Sequence, residues 1–228
     1  MAPRPTAAPA ARLASCACAP AAGGAARARP FQPPGARPTL PAMPVVPFVR
    51  HDSQVELETP VFRLRHDRAS HPVTGHEGRY VVLEAPDWVN IVALTDDAHI
   101  ILVRQWRHGT RTIELECPAG MVDRGEAPLA AAARELREET GYEAASMRLI
   151  GRVAPNAAFQ DNTCHTVLAE GCRPRHATAF DPGEDIELVL TPLADLPAMV
   201  RSGQIHNGMG VVALFWWLQE TGRLDWPR

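Results

Sequence analysis

Three glutamates stand close together in one segment of the chain, at a spacing that points to cation binding. Glu135, Glu138 and Glu139 follow one another at i, i+3 and i+4, so on a helix they would lie side by side and repel one another by roughly 0.2–0.5 kcal/mol per pair. A bound cation would offset that repulsion, and oxygen-only ligands favour Mg²⁺ or Mn²⁺. The alternative is a solvated helix face, on which Arg134 and Arg137 pair with these carboxylates.

The segment around the glutamates has the composition of a helix with defined ends. Pro128 suits the first turn and Gly141 the position just after the last turn, so the sequence predicts a helix over 128–140. We expect one arc of this helix to be buried, comprising Leu129, Ala132, Ala133, Leu136 and Thr140. The three carboxylates would then occupy the neighbouring arc.

Short β-rich runs flank this helix on both sides. They cover 55–64 with a break at Pro60, then 80–84, 89–94, 100–105 and 112–116 before the helix, and 147–153, 163–169 and 186–190 after it. Two further helices are predicted near the end, from 195 or 197 to 201 and over 207–220. This order predicts an α+β fold, a mixed-sheet sandwich with helices on its faces.

Composition excludes several classes of protein. The first 50 residues hold six Arg and no acid, so the remaining residues carry 17 Arg against 26 acidic residues, a balance of −9. Such an acidic domain argues against nucleic-acid binding, which needs a basic face. No run approaches the roughly 18 apolar residues of a membrane span. The five Cys form no CxxC pair and suggest no disulfide framework, so a reducing, cytoplasmic setting is expected.

The N-terminal region differs in composition from the rest. Residues 1–44 are mostly Ala, Pro, Arg and Gly, which cannot bury enough surface to offset the entropy of ordering. We expect a disordered tail at 1–44 and one folded domain at 45–228. Two other interpretations stay open, namely an organelle-targeting peptide and a wrongly assigned start, with the true start at Met43.

The helix and its approach together resemble a known motif. The stretch GMVDRGEAPLAAAARELREETGY, from Gly120 to Tyr142, resembles the Nudix box of the Nudix hydrolases at every fixed position. Those positions are Gly120, Glu126, Arg134, Glu135, Leu136, Glu138, Glu139, Gly141 and Tyr142. The resemblance implies a Nudix-type α/β/α sandwich with a mixed β-sheet, preceded here by the N-terminal β-rich segment.

The same resemblance implies roles for individual residues. The metal ligands would be Glu135, Glu138 and Glu139, with a backbone carbonyl of Ala119 or Gly120. The catalytic set would comprise Glu138, Glu139, Arg134 and an acidic residue from a later loop. Arg134 would pair with Glu126 and so orient the helix, Gly141 would end the helix, and Gly120 would allow a sharp turn close to the phosphates.

The surroundings of the box narrow the substrate class. VRQWRHGT, ELECPAG and HTVLAEG resemble ADP-ribose and ADP-sugar pyrophosphatases, a similarity that runs from about Trp88 to Leu218. It implies Mg²⁺- or Mn²⁺-dependent hydrolysis of ADP-ribose to AMP and ribose 5-phosphate. One departure is Ala157, where such enzymes commonly have Pro; Pro155 lies two residues earlier. An ADP-sugar, NADH or dinucleoside polyphosphate substrate, or a non-hydrolysing Nudix-fold ligand sensor, are the alternatives.

Four residues outside the box complete the candidate site. Glu184, in the loop DPGEDIE, is the predicted further catalytic carboxylate, with Asp185 and Glu187 as substitutes; a solvated loop acid is the alternative. Arg104 and Arg107 are predicted to bind phosphates through bidentate contacts, unless they are ordinary surface Arg. Trp88 could stack on adenine or pack at a sheet edge.

The expected partners are few. We predict a small-molecule nucleotide substrate, no nucleic acid and no membrane. We also predict a homodimer, because the chain resembles dimeric ADP-ribose pyrophosphatases and because its last helix contains the apolar stretch VVALFWWL.

Overall fold

The computed structural model describes residues 45–180 and 182–222. The predicted tail at 1–44 lies outside the described residues, so its disorder and the domain boundary stay predictions. Fifteen elements follow in chain order: β1 (Val49–Glu58), β2 (Arg63–Ser70), β3 (Glu77–Glu84), β4 (Trp88–Leu94), β5 (His99–Arg107), β6 (Thr112–Glu116), β7 (Ala119–Met121), α1 (Pro128–Thr140), β8 (Tyr142–Glu143), β9 (Ser146–Val153), β10 (Cys164–Glu170), β11 (Arg173–Pro174), β12 (Ile186–Pro192), α2 (Leu196–Arg201) and α3 (Gly208–Glu220).

The N-terminal β-rich segment is a three-stranded antiparallel sheet of β1, β2 and β3 in sequential order. The predicted break near Pro60 is the turn between β1 and β2. There the Thr59 hydroxyl accepts a hydrogen bond from the Phe62 amide at 3.0 Å. Every residue of β1 is exposed, so this sheet has a solvent-facing edge and surface.

A seven-stranded sheet forms the centre of the fold. Its main path runs β12-β5-β4-β10-β9, with β6 paired to β5 and β7 paired to β4. The β4–β10 pair is parallel and the other pairs are antiparallel. The sheet is therefore mixed, as predicted.

Helices cover both faces of this sheet. Alternate residues of β4 point to opposite faces: Val89 and Ile91 pack with Ala132 and Leu136 of α1, whereas Val92 packs with the α2 and α3 side. That second cluster also contains Leu168, Leu196, Leu214 and Trp217. The three layers form the α/β/α sandwich that the sequence predicts.

The position of α1 about its own axis differs from the prediction. Leu129 and Ala133 are exposed, whereas Ala131 and Glu139 are buried. The helix is therefore turned so that its carboxylate arc faces the protein. The other three predicted positions, Ala132, Leu136 and Thr140, are buried as expected. Ala132 and Leu136 pack with Ala131 in the apolar cluster that includes β4. The glutamates thus lie against the sheet rather than in bulk solvent.

The C-terminal helix α3 begins as the sequence predicts. Asn207 is its N-cap, and the Asn207 Oδ1 accepts hydrogen bonds from the amides of Met209 at 3.0 Å and Gly210 at 3.3 Å. Its apolar stretch packs into the core mainly through Ala213, Leu214 and Trp217. Within residues 45–180 and 182–222, no helix has the length and apolar character needed to cross a bilayer.

Candidate active site

A cleft of about 720 Å³ opens between the carboxylate arc of α1, the ends of β4 and β5, and the N-terminus of α3. Nine of the predicted site residues line it: Trp88, Arg107, Ala119, Gly120, Arg134, Glu135, Glu138, Glu139 and Glu184. Residues that are 96 positions apart in the chain thus share one cavity, because β4, α1 and the loop before β12 meet at the same end of the sheet.

The three glutamates of α1 have different partners in the cleft. The Arg134 Nη1 donates to Glu135 Oε1 at 2.7 Å and to Glu138 Oε2 at 3.2 Å. Glu139 instead accepts a hydrogen bond from the backbone N–H of Ala119 at 3.1 Å. One arginine therefore bridges two of the carboxylates, while the third is anchored to β7.

Burial changes the chemistry of these acids. Glu139 is only 3% exposed, and this burial, with the negative charges of Glu135 and Glu184, raises the pKa of Glu139 to about 8. Burial also raises the pKa of Glu135, in spite of its ion pair with Arg134. Both acids consequently hold a proton more readily than a glutamate in water does.

The three side chains of α1 suit a hard divalent cation, because all of their donor atoms are carboxylate oxygens. In the part of the chain that the structure describes, however, no three His, Cys, Asp or Glu side chains already converge on a metal position. The hydrogen bonds explain this arrangement: Arg134 holds Glu135 and Glu138, and the Ala119 amide holds Glu139. The residues fit a cation once Arg134 releases Glu135 or Glu138.

Arg134 also fixes α1 to the preceding loop. Its Nε donates to Glu126 Oε1 at 3.1 Å and its Nη2 to Glu126 Oε2 at 2.9 Å, a bidentate pair. The Nη2 donates as well to the carbonyl of Met121 at 3.0 Å. The Arg134 guanidinium lowers the pKa of Glu126 below its ordinary value. The structure therefore contains the Arg134–Glu126 pair that the sequence resemblance implies.

Two glycines of the box are required for different reasons. Gly120 lies inside strand β7 rather than in a sharp turn, which corrects the expectation from the resemblance. A Cβ at Gly120 would overlap the carboxylate of Glu135, so glycine lets this carboxylate lie directly against β7 and a larger residue would displace it. Gly141 adopts φ 73° in the left-handed region, and a Cβ there would collide with the carbonyl oxygen of His176.

The two arginines predicted to bind phosphates lie on opposite faces of β5. Arg107 lines the cleft, and its Nε donates to Glu116 Oε1 at 2.6 Å. Arg104 does not line the cleft; its Nη1 donates to Glu187 Oε1 at 3.1 Å on strand β12. Because side chains alternate along a strand, residues three apart cannot share a face. Arg107 and not Arg104 therefore lines this cleft, and the phosphate-binding role of both arginines stays a prediction.

Trp88 and Glu184 both reach the cleft from its rim. Trp88 begins β4, opposite Met121 of β7, and is half-buried. Glu184 lies in the exposed loop before β12, close enough for its charge to raise the pKa of both Glu135 and Glu139. Its proposed substitute Glu187 is engaged by Arg104 outside the cleft. Of the three acids considered in this loop, Glu184 is the one that lines the cleft.

Sequence reasoning missed several polar residues of the cleft, among them Glu116 and Asn207. Glu116 is 4% exposed and accepts hydrogen bonds from Arg107 and from Asn207 Nδ2, the latter at 2.7 Å. The sequence identified Asn207 only as a helix cap. A detectable feature was the run TIELE, in which Glu114 and Glu116 share one face of a strand leading into the box. Acids on a buried strand must be paired, so their partners could have been sought.

Comparison with known proteins agrees with this geometry. The NUDIX domain family model matches residues 86–207. An ADP-ribose pyrophosphatase of Mycobacterium tuberculosis is 35% identical over 158 residues, 68% of this chain and 75% of that protein. The methanol dehydrogenase activator of Bacillus methanolicus is 30% identical over 155 residues, 68% of this chain and 83% of that protein.

A solved structure has a similar fold. A crystal structure of an ADP compounds hydrolase superposes with a TM-score of 0.70 at 25% identity, covering 80% of this chain and 100% of the other. The family model spans the cleft from the start of β4 to the cap of α3 and includes the whole carboxylate helix. With this match and with relatives at 30% identity or more, the chain belongs to the Nudix family and is a Nudix hydrolase.

Proposed function

We propose that this protein hydrolyses the phosphoanhydride bond of ADP-ribose, yielding AMP and ribose 5-phosphate, with Mg²⁺ or Mn²⁺ as cofactor. The observation that carries the proposal is the buried Glu139, whose pKa is raised to about 8, beside Glu135 and Glu138 in a cleft that also presents Arg107. A relative from Bacillus subtilis that is named ADP-ribose pyrophosphatase, 30% identical over 141 residues, supports the choice of substrate.

Each residue type has a part in this chemistry. Glu135, Glu138 and Glu139, with a carbonyl of Ala119 or Gly120, would hold the cation. When bound, a divalent cation neutralises the diphosphate and lowers the pKa of water. The chain must release carboxylates from Arg134 for this purpose, and Arg134 retains Glu126 and the Met121 carbonyl as partners.

Arg107 and Trp88 would orient the substrate. The Arg107 Nε–H is taken by Glu116, so its Nη groups are the donors that can reach phosphate oxygens. Trp88, on the rim, offers a flat apolar surface for a base. Glu184 would accept the proton of the attacking water, because it lines the cleft but is not needed to hold the cation.

The departure at Ala157 lies away from this cleft. The connection between β9 and β10 that contains it is held to β3, where the Leu83 amide donates to the Phe159 carbonyl at 2.7 Å. Residues 154–163 do not contribute to the cleft lining described above. Ala157 therefore does not line the cleft that the proposal assigns to the substrate.

A substrate panel tests the proposal. The purified protein is incubated with ADP-ribose, ADP-sugars, NADH, diadenosine polyphosphates and 8-oxo-dGTP, with Mg²⁺, Mn²⁺ or EDTA. Phosphate is measured after phosphatase coupling, and products are identified by chromatography. We expect ADP-ribose to give the highest kcat/KM, AMP and ribose 5-phosphate as products, and no turnover in EDTA. A higher kcat/KM for another panel member would refute ADP-ribose as the preferred substrate, and turnover in EDTA would refute the requirement for Mg²⁺ or Mn²⁺.

A further inference from the structure

A continuous chain of hydrogen bonds joins the start of α3 to Arg107. The Asn207 Oδ1 accepts from the amides of Met209 and Gly210. The Asn207 Nδ2 donates to Glu116 Oε2 at 2.7 Å, and Glu116 Oε1 accepts from Arg107 Nε at 2.6 Å. Each oxygen of Glu116 thus has one donor, and the two donors come from different elements.

Glu116 is more deeply buried than Arg107. The Glu116 side chain is 5% exposed, whereas that of Arg107 is 38% exposed, and all three residues line the cleft. Glu116 therefore lies behind Arg107, on the side away from solvent. A buried ion pair adds little net stability compared with apolar residues of similar size. Stability alone does not explain why a carboxylate stands here.

The hydrogen-bond directions also restrict the guanidinium. A bond from the Nε to a buried carboxylate fixes the plane of an arginine side chain, which otherwise has many rotamers. The Asn207 amide prevents Glu116 from turning away, because it holds the second oxygen. Asn207 in turn is fixed by its two bonds to α3.

We propose that Glu116 and Asn207 are positioning residues, which hold the Arg107 guanidinium in the orientation that binds the substrate diphosphate and so couple the N-terminus of α3 to the cleft. The inference rests on the proposed phosphate-binding role of Arg107. The competing explanation is structural: Asn207 would serve only as a helix cap, and Glu116 only as a buried ion pair.

Substitution of Asn207 by Asp separates the two explanations. Asp keeps the oxygen that caps α3 and is as good an N-cap as Asn, but it loses the N–H donor and places a second carboxylate against Glu116. We expect Asn207→Asp to raise the KM for ADP-ribose by about 10-fold to 100-fold with kcat changed less than about threefold, because a charge-assisted hydrogen bond in the binding site is lost. The melting temperature should stay close to that of the unaltered protein.

Two further variants complete the set. Asn207→Ser keeps a capping oxygen but cannot reach Glu116, so the KM should rise in the same direction even if the Asp variant folds poorly. Glu220→Gln is the matched control, since it removes the 2.7 Å ion pair with Arg148 at the far end of α3. It should leave the KM unchanged.

A second readout does not depend on turnover. In ¹⁵N-labelled protein, the Arg107 Nε–H resonance is assigned by its loss in Arg107→Lys, and its hydrogen exchange is measured. Glu116→Gln and Asn207→Asp should both speed this exchange, whereas Glu220→Gln should not. If the unaltered protein fails to cleave ADP-ribose, this measurement still tests whether the two residues hold Arg107. An unchanged KM and unchanged exchange in a folded Asn207→Asp variant would overturn the proposal.

Discussion

Glu139 is the acid whose folded environment differs most from water. Its pKa rises from 4.5 to about 8 because it is buried beside Glu135. The folded metal-free protein therefore binds more protons than the unfolded chain between these values. Its contribution to stability is fully present below about pH 4.5 and is lost as the pH rises through about 8. We predict that the unfolding free energy of Glu139→Gln in EDTA declines less than that of the unaltered protein between pH 5 and 9.

The measurement is urea unfolding of both proteins across this pH range in metal-free buffer. Added Mg²⁺ should restore stability to the unaltered protein most strongly at high pH, because a metal ligand must be deprotonated. If the unfolding free energies of the two proteins changed with pH in parallel, the raised pKa of Glu139 would be contradicted.

Glu139→Gln should also slow catalysis. Gln preserves size and helix propensity but removes the charge that a metal ligand supplies. Losing roughly 3–5 kcal/mol of transition-state stabilisation would reduce kcat by about 10² to 10⁴ at saturating Mg²⁺. Arg137→Gln is the control, since the Arg137 side chain is 52% exposed and its closest approach to Glu138, 4.0 Å from Nη2 to Oε1, is too long for a hydrogen bond. It should reduce kcat less than about threefold. Equal activity of both variants would refute the role of Glu139 as a metal ligand.

At the scale of elements, strand alternation separates residues that look equivalent in sequence. Arg107 faces the cleft and Arg104 faces Glu187 on the other side of β5. Arg107→Gln should therefore raise the KM for ADP-ribose about tenfold or more, whereas Arg104→Gln should change it less than about threefold. Steady-state kinetics with both variants tests this. A larger effect at Arg104 would show that a second subunit or a moving segment brings it to the substrate.

The whole molecule presents an apolar surface that the last helix does not account for. The predicted homodimer was based on the apolar stretch of α3, but much of that stretch packs into the core. Exposed apolar side chains instead occur on the β1–β3 sheet, where Leu57 is 50% and Val81 45% exposed. Leu57 lies opposite Leu64, and Leu64 opposite Leu83, so one apolar row crosses the sheet. Such patches mark interaction surfaces.

We predict that the protein is a dimer in light scattering at micromolar concentration. Leu57→Glu with Val81→Glu should give a folded monomer, because burying two carboxylates at an interface is costly. Phe215→Ala, on the exposed side of α3, should leave the dimer intact. A monomeric mass for the unaltered protein would refute the dimer. If Phe215→Ala gave a monomer and the Leu57→Glu with Val81→Glu variant did not, the interface would lie on α3.

Residues 1–42 are predicted to contribute little to the folded domain. They contain almost no large apolar side chains, so they cannot build a core of their own. Deleting them should leave turnover and melting temperature nearly unchanged. A loss of more than about tenfold in kcat/KM, well beyond the usual effect of a surface change, would show that this segment belongs to the site.

The sequence by itself determined the chemistry of the site and the order of the elements. Pro128 and Gly141 define the ends of α1 through backbone restrictions that act locally. The spacing of Glu135, Glu138 and Glu139 follows from helix geometry alone. The same local logic predicted the strands around α1 and the Asn207 cap.

Tertiary structure decided which face of each element meets the cleft. The alanine-rich stripe of α1 specifies its rotation weakly, and the packed position against β7 is the one in which the Ala119 amide donates to Glu139 and Glu135 lies over Gly120. Whether Arg104 or Arg107 faces the substrate depends on the strands that pair with β5. Glu116 gained its role from Asn207, 91 residues later in the chain. Contacts between such distant residues depend on how the sheet and helices pack, which local propensity does not encode.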